Sequence, residues 1–148
     1  MAYEQLRLEN QLLPLYAASR SVTQEYQPHL EKLGITYPQY LVLMVLWETD
    51  SIAVSEITRR LILNTNTITP VLKRMEAQGL ITRQRSEEDE RKVIVTLTHK
   101  GKELQIEAAS IPEKLVAGLV SSNVKMEELQ KLKDQLYVII HYLSNKQA

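Results

Sequence analysis

The chain is predicted to be mainly α-helical with a small β-hairpin, arranged as a winged helix-turn-helix with long helices at both ends. Three observations predict this. Asn64-Thr65-Asn66-Thr67 is a polar, hydroxyl-rich helix start; the helix it opens is basic and apolar and stops at Gln78-Gly79; and two short β-prone runs flank the charged tip from Arg85 to Lys92. A length of 148 residues, 44% of them apolar, with few prolines and glycines, suits one ordered globular domain able to bury a core.

Leu8, Leu12, Leu15, Tyr16, Val22, Tyr26 and Leu30 recur mostly at three- or four-residue steps, so the first thirty residues read as a long amphipathic helix. Pro14 would break a backbone bond inside it, so the helix either starts near residue 13 or kinks there. Gly34 ends it, and Thr36 caps the next helix, with Pro38 in the first turn. That helix, Tyr37 to Glu48, is apolar nearly all round and reads as a buried core element rather than a ligand box. Residues 51–54 supply a short strand or loop, Ser55 begins a helix on Ile57 and Leu61, and a turn follows at Leu63-Asn64.

The next helix buries Ile68, Val71 or Leu72, and Met75, leaving Thr65, Asn66, Thr69, Lys73 and Arg74 on its outer face. Beyond Gly79, residues 80–83 and 92–97 alternate and are rich in β-branched side chains, as the strands of a hairpin should be; Ser86 to Arg91 form its tip. Thr98 caps a further helix with Gly101 in its first turn, and Pro112 kinks or breaks the apolar face that runs through Ile106, Ala109, Ile111 and Leu115. Gly118 to Lys125 reads as a loop. Met126, Leu129, Leu132, Leu136, Ile139 or Ile140, and Leu143 then step along a last helix.

Composition excludes several chemistries. The chain has no cysteine, so disulfides, thiolate metal sites and thiol redox reactions are absent. His29, His99 and His141 are far apart without metal-ligand spacing, the four glycines form no phosphate loop, and no Gly-x-Ser-x-Gly elbow occurs. No catalytic residue, metal or cofactor is therefore assigned. With no long apolar run and no leader-like start, a cytoplasmic protein that does not enter membranes is expected.

Net charge is zero, yet it is unevenly distributed: residues 1–52 carry three basic against six acidic side chains, residues 53–100 nine against six, and the remainder six against six. Basic excess thus gathers where the helix-turn-helix lies, as double-stranded DNA would require, although an excess of three also suits a solvated face. In a helix-turn-helix one helix braces and the next enters the major groove, led by short polar side chains. Thr65, Asn66, Thr67 and Thr69 are the candidates for contacts to phosphates or base edges, and Lys73 and Arg74 for neutralising phosphate or reading guanine. In the wing, Asp89 is expected to pair with Arg85 or Arg91 and shape the loop, while Arg91 or Lys92 enters the minor groove. A winged-helix protein-interaction module that has lost DNA binding is the alternative that zero net charge permits.

These residues resemble the MarR-type winged-helix regulators, and among them the organic-hydroperoxide-sensing repressors. The resemblance runs through Leu8-Glu9-Asn10-Gln11-Leu12, Tyr16-Ala17-Ala18-Ser19-Arg20, Leu33 to Leu41, Thr67 to Glu76, and Arg85-Ser86-Glu87-Glu88-Asp89-Glu90-Arg91, with Thr36-Tyr37-Pro38-Gln39-Tyr40 pointing to the peroxide-sensing branch. It implies a homodimer whose first and last helices interlock, with paired recognition helices and wings on a pseudo-palindromic operator. It also divides the single MarR-type domain into a DNA-binding part of about residues 37–98 and a dimerisation part of about 1–36 and 99–148. Terminal helices with apolar stripes that a small core cannot cover independently call for a partner subunit.

The chain departs from the branch where it matters for sensing. The branch's reactive cysteine follows the Glu-Asn-Gln-Leu string, where this chain has Leu13, or Leu12 if a one-residue deletion lies earlier; leucine has no thiolate to oxidise. Two further departures are Asn64-Thr65-Asn66, where the branch tends to have Asp-Ser-Gly or similar, and Pro14. Tyr16, Tyr26 and Tyr37, which match the tyrosines around that cysteine, remain. They imply either a filled core or, with Leu12 and Leu13, a pocket for a small aromatic effector. Met44 or Met75 is the alternative oxidisable group.

Overall fold

The computed structural model describes residues 3–7 and 12–146. A 3-10 turn, Glu4–Leu6, precedes α1 (Leu13–Lys32), α2 (Tyr37–Glu48), β1 (Ile52–Ala53), α3 (Val54–Leu61), α4 (Thr65–Ala77), β2 (Ile81–Arg85), β3 (Val93–Leu97), α5 (His99–Ala108), α6 (Ile111–Ser121) and α7 (Met126–Lys146). This is the mainly helical winged helix-turn-helix that the sequence predicts.

Of the two outcomes left open at Pro14, the helix start is realised. Pro14 sits in the first turn of α1, where its missing N–H has no helical acceptor, and Leu8 of the expected stripe lies outside the described residues. A second proline, Pro28, lies inside α1 without ending it. Gly34, at φ +73°, closes the helix: its N–H reaches the Glu31 carbonyl and that of Ile35 the Leu30 carbonyl.

The α2 helix starts on a reciprocal cap in which Thr36 Oγ1 accepts from the Gln39 N–H and Gln39 Oε1 accepts from the Thr36 N–H. Its Tyr40, Val42, Leu43 and Leu46 are all buried, and α1, α3, α4 and α5 pack against it. The Trp47 indole N–H donates to the Gly101 carbonyl at 3.0 Å, fixing the start of α5. Glycine is needed at 101 because a Cβ there would run into the Leu80 carbonyl oxygen. Gln39, buried at 4% exposure, also donates through Nε2 to Gln78 Oε1 at 2.8 Å, and Gln78 Nε2 donates to the Gly34 carbonyl at 3.1 Å. Two amides thus tie the α1–α2 junction to the end of α4.

Between α3 and α4 the turn is tight, with Ile62 at φ 57°, a left-handed conformation costing a β-branched residue on the order of 1–2 kcal/mol. Asn64 then caps α4, its Oδ1 accepting from the Thr67 N–H at 2.9 Å. Ile68, Val71, Leu72 and Met75 are all buried, so α4 uses both residues that the sequence left as alternatives. Gly79, at φ +75°, ends the turn after α4.

All strands are antiparallel, in the order β1-β3-β2, with Ile81 opposite Leu97 and Arg85 opposite Val93. Residues 52–53, expected as strand or loop, pair with Val95 and Ile94 and add a third strand to the hairpin. Asp50 anchors that strand, its carboxylate accepting from the N–H groups of Ser51 and Leu97 at 2.7 and 2.9 Å.

One expectation is overturned. Gly118 to Ser121 belong to α6, which leaves only residues 122–125 as a loop. Leu115 and Leu119 keep the i,i+4 spacing across Gly118, and one interior glycine costs a helix only about 1 kcal/mol. Pro112 stands in the first turn of α6, so the apolar face breaks there rather than kinking. The chain forms two compact units, residues 1–109 and 110–148.

Candidate nucleic-acid interface

The first turn of α4 spends part of its polarity on itself. Thr67 Oγ1 donates to Asn64 Oδ1 at 3.0 Å, and Thr69 Oγ1 donates to the Thr65 carbonyl at 2.8 Å. Thr65, Asn66, Thr67, Lys73 and Arg74 are exposed, and Thr69 is half-buried. Pro70, inside α4, supplies no N–H to the Asn66 carbonyl four residues back.

In the wing, residues close in sequence bond to one another. Ser86 Oγ accepts from the N–H groups of Glu88 and Asp89, and the Lys92 N–H donates to the Asp89 carbonyl at 2.9 Å. Of the two pairings left open for Asp89, the one with Arg91 is present: its Oδ1 accepts from the Arg91 backbone N–H at 3.1 Å and from Nε at 3.2 Å. Arg85 holds the same loop differently, donating Nη1 to the Glu90 carbonyl at 2.9 Å. With Nε engaged, both outer nitrogens of Arg91 face solvent on a side chain 92% exposed.

A second ion pair joins wing and helix. Glu76 of α4 accepts from Arg83 of β2 twice, through the backbone N–H and through Nη2, each at 3.1 Å, while Arg83 Nε is buried without a partner among the described residues. The Arg83 guanidinium beside Glu76 holds that carboxyl below the usual glutamate range. Between helix and wing lies a cleft of about 330 Å³ lined by Ser55, Thr65, Thr69, Arg83, Arg91 and Lys92, among others. Neither Glu76 nor Arg83 could be singled out from the sequence, because their contact exists only once the chain reverses at Gly79.

The basic excess of this segment is reduced by pairing. Arg59 and Arg60 both bond Glu56, whose carboxyl they pull down to about 2. Lys73, Arg74 and Lys92 carry no ion pair among the described residues and stand as positive charge on the α4 and wing surface.

The tyrosines divide into two places. Tyr26 and Tyr37 meet at 5.4 Å between ring centroids, and Tyr40, expected only as core, completes the cluster at 5.6 and 6.3 Å. Burial raises all three phenols, Tyr40 up to about 12 with help from its two neighbours. Tyr16 lies ten residues earlier on α1, roughly 15 Å along the helix. It is exposed beneath the Arg20 guanidinium, with Leu12 and Leu13 exposed beside it in sequence. The five residues grouped from the sequence are thus not gathered at one point. Met75 is fully buried and Met44 half-buried.

Residues 24–107 match the family model described as transcriptional regulator SarA/Rot. The chain is similar to the organic hydroperoxide resistance transcriptional regulator of Bacillus subtilis, 48% identical over 145 residues and covering 97% of each protein. It is also similar to the regulator MgrA of Staphylococcus aureus, 36% identical over 140 residues and 93% of each. Among solved structures, reduced AbfR bound to DNA matches with a TM-score of 0.77 at 38% identity, over 97% of this chain and 99% of that one. The MepR–DNA complex of S. aureus matches with a TM-score of 0.79 at 25% identity, over 89% and 96%. These relatives are transcriptional regulators, not enzymes.

Proposed function

Because this chain belongs to the SarA/Rot family of transcriptional regulators, of the MarR winged-helix type, we propose that it is a cytoplasmic homodimeric repressor binding a pseudo-palindromic operator. The observation that carries the reading is the shared surface of α4 and the wing. A polar helix face with free Lys73 and Arg74 stands beside an arginine whose outer nitrogens Asp89 leaves unbound, on a fold whose neighbours AbfR and MepR are solved on DNA. Two such surfaces related by a twofold axis would place their recognition helices in major grooves about one helical turn, roughly 34 Å, apart. Thr65, Asn66, Thr67, Thr69, Lys73 and Arg74 meet the major groove and its phosphates, while Arg85 and Asp89 shape the wing that carries Arg91 and Lys92 to the minor groove.

Dimerisation rests on α7, whose 21 residues include none that is buried. Leu132, Tyr137, Val138, Tyr142 and Leu143 are all more than half exposed, an apolar surface that a second copy covers most economically.

Release from DNA proceeds without thiol chemistry. AbfR has been solved reduced, overoxidised and disulfide-formed, whereas this chain has no cysteine. A small aromatic ligand seated at the Tyr26–Tyr37 end of α1, away from Leu12, Leu13 and Tyr16, relieves repression instead. The test is a mobility shift on the protein's own upstream region across a salt series, repeated with phenolic acids. Affinity that falls steeply with salt and release by one of the acids are expected; a flat salt response would instead favour a protein partner.

A further inference from the structure

The geometry points to Asn66 as the side chain that reads an adenine edge in each operator half-site, an assignment that rests on the DNA-binding reading above. Around α4 the buried Ile68, Val71, Leu72 and Met75 fix the inward direction. At about 100° per residue, Asn66 then points roughly 170° from the core, with Pro70 and Lys73 continuing the same outward stripe. Thr65 on one side, and Thr67 with Arg74 on the other, project nearer the flanks. When a helix lies in a major groove, its flanks approach the two phosphate walls and its outward midline faces the base edges.

Freedom to bond separates Asn66 from its neighbours. The hydroxyl protons of Thr67 and Thr69 are already donated, to Asn64 Oδ1 and the Thr65 carbonyl. Lys73 has donors and no acceptor. Asn66 is exposed and its amide makes no bond among the described residues, so both its donor and its acceptor are available. Adenine presents N7 as acceptor and N6–H as donor, a pair that one carboxamide satisfies at once, Nδ2–H to N7 and Oδ1 from N6–H. No other base offers that pair in that order.

Binding of wild-type and Asn66→Ala proteins to duplexes of the upstream region tests this, with each A·T pair of a half-site replaced in turn by G·C or by 7-deazaadenine, which lacks N7. In wild type, one adenine per half-site is expected to lose on the order of tenfold in affinity on either replacement. Asn66→Ala should bind adenine, 7-deazaadenine and guanine equally well at that position, keep wild-type discrimination elsewhere and retain the wild-type melting temperature. Unchanged discrimination at every A·T pair, or an affinity loss uniform over all sequences, would overturn the assignment. A wild-type protein that bound no duplex in a salt-dependent way would overturn the DNA-binding reading itself, a result distinct from either of those.

Discussion

The winged-helix unit and α7 use apolar side chains in opposite ways. In the former, Leu43, Ile57, Ile68, Met75 and Val95 lose all contact with water, helix ends are capped by Thr36, Asn64 and Thr98, and the buried amide of Gln39 is bonded. In the latter, an apolar stripe gives no fully buried residue: Leu129, Leu136 and Ile140 are half-buried, and Val138 is 70% exposed. Periodicity therefore identifies a face to be covered without saying what covers it. One stretch of chain completes its own core, and the other leaves its apolar side chains exposed, as half of the proposed interface would.

Replacing Leu132 and Leu143 together by glutamate should break this contrast most severely. Sedimentation should show monomers, and operator affinity should fall more than about a hundredfold, because two linked half-sites lose their mutual effective concentration. A dimer surviving that double substitution would show that α7 is not the interface. Leu43→Ala strikes the self-contained core instead, and a loss of about 2–5 kcal/mol in chemical denaturation is expected from the cavity left behind. A cost well under 1 kcal/mol would mean that the core around α2 is not closed.

Arg91→Ala acts on the surface and leaves both cores intact. Affinity should drop several-fold for every sequence, and the slope of log affinity against log salt should flatten by about one unit. An unaltered slope would remove Arg91 from the minor groove.

The smallest effect concerns Glu76. Arg83 lowers its folded pKa, so the pair stabilises the fold fully above the ordinary glutamate value of about 4.3 and ceases to do so as pH falls through the lower folded value. Because the pair is partly solvated, the melting difference between wild type and Glu76→Gln should be slight at neutral pH and vanish in acid. A difference that persists or grows in acid would contradict that sign.

Most of the fold was legible because its punctuation is local. Gly34, Thr36, Asn64, Gly79 and Thr98 act within a few residues of themselves, and helix boundaries follow from them. The Asp89–Arg91 bond, one of the two pairings expected of Asp89, is legible for the same reason, its partners lying two residues apart. Features that depend on distant segments were not. The pairing of β1 with β3, the Glu76–Arg83 clamp and the Gln39–Gln78 bond each need the chain to have folded back first. Glycine at 118 was misleading, since Leu115 and Leu119 carry the helix across it. Tyr40 joined Tyr26 and Tyr37 because consecutive turns of α2 present it to α1, whereas Tyr16 is separated from them by most of that helix.

The central claim, two copies of this chain gripping one duplex, is tested most directly by analytical ultracentrifugation of the protein titrated onto its own upstream duplex at several salt concentrations. Two protomers per operator are expected, bound with an affinity that falls linearly in log–log form as salt rises. A complex of one protomer, or binding indifferent to salt, would contradict it.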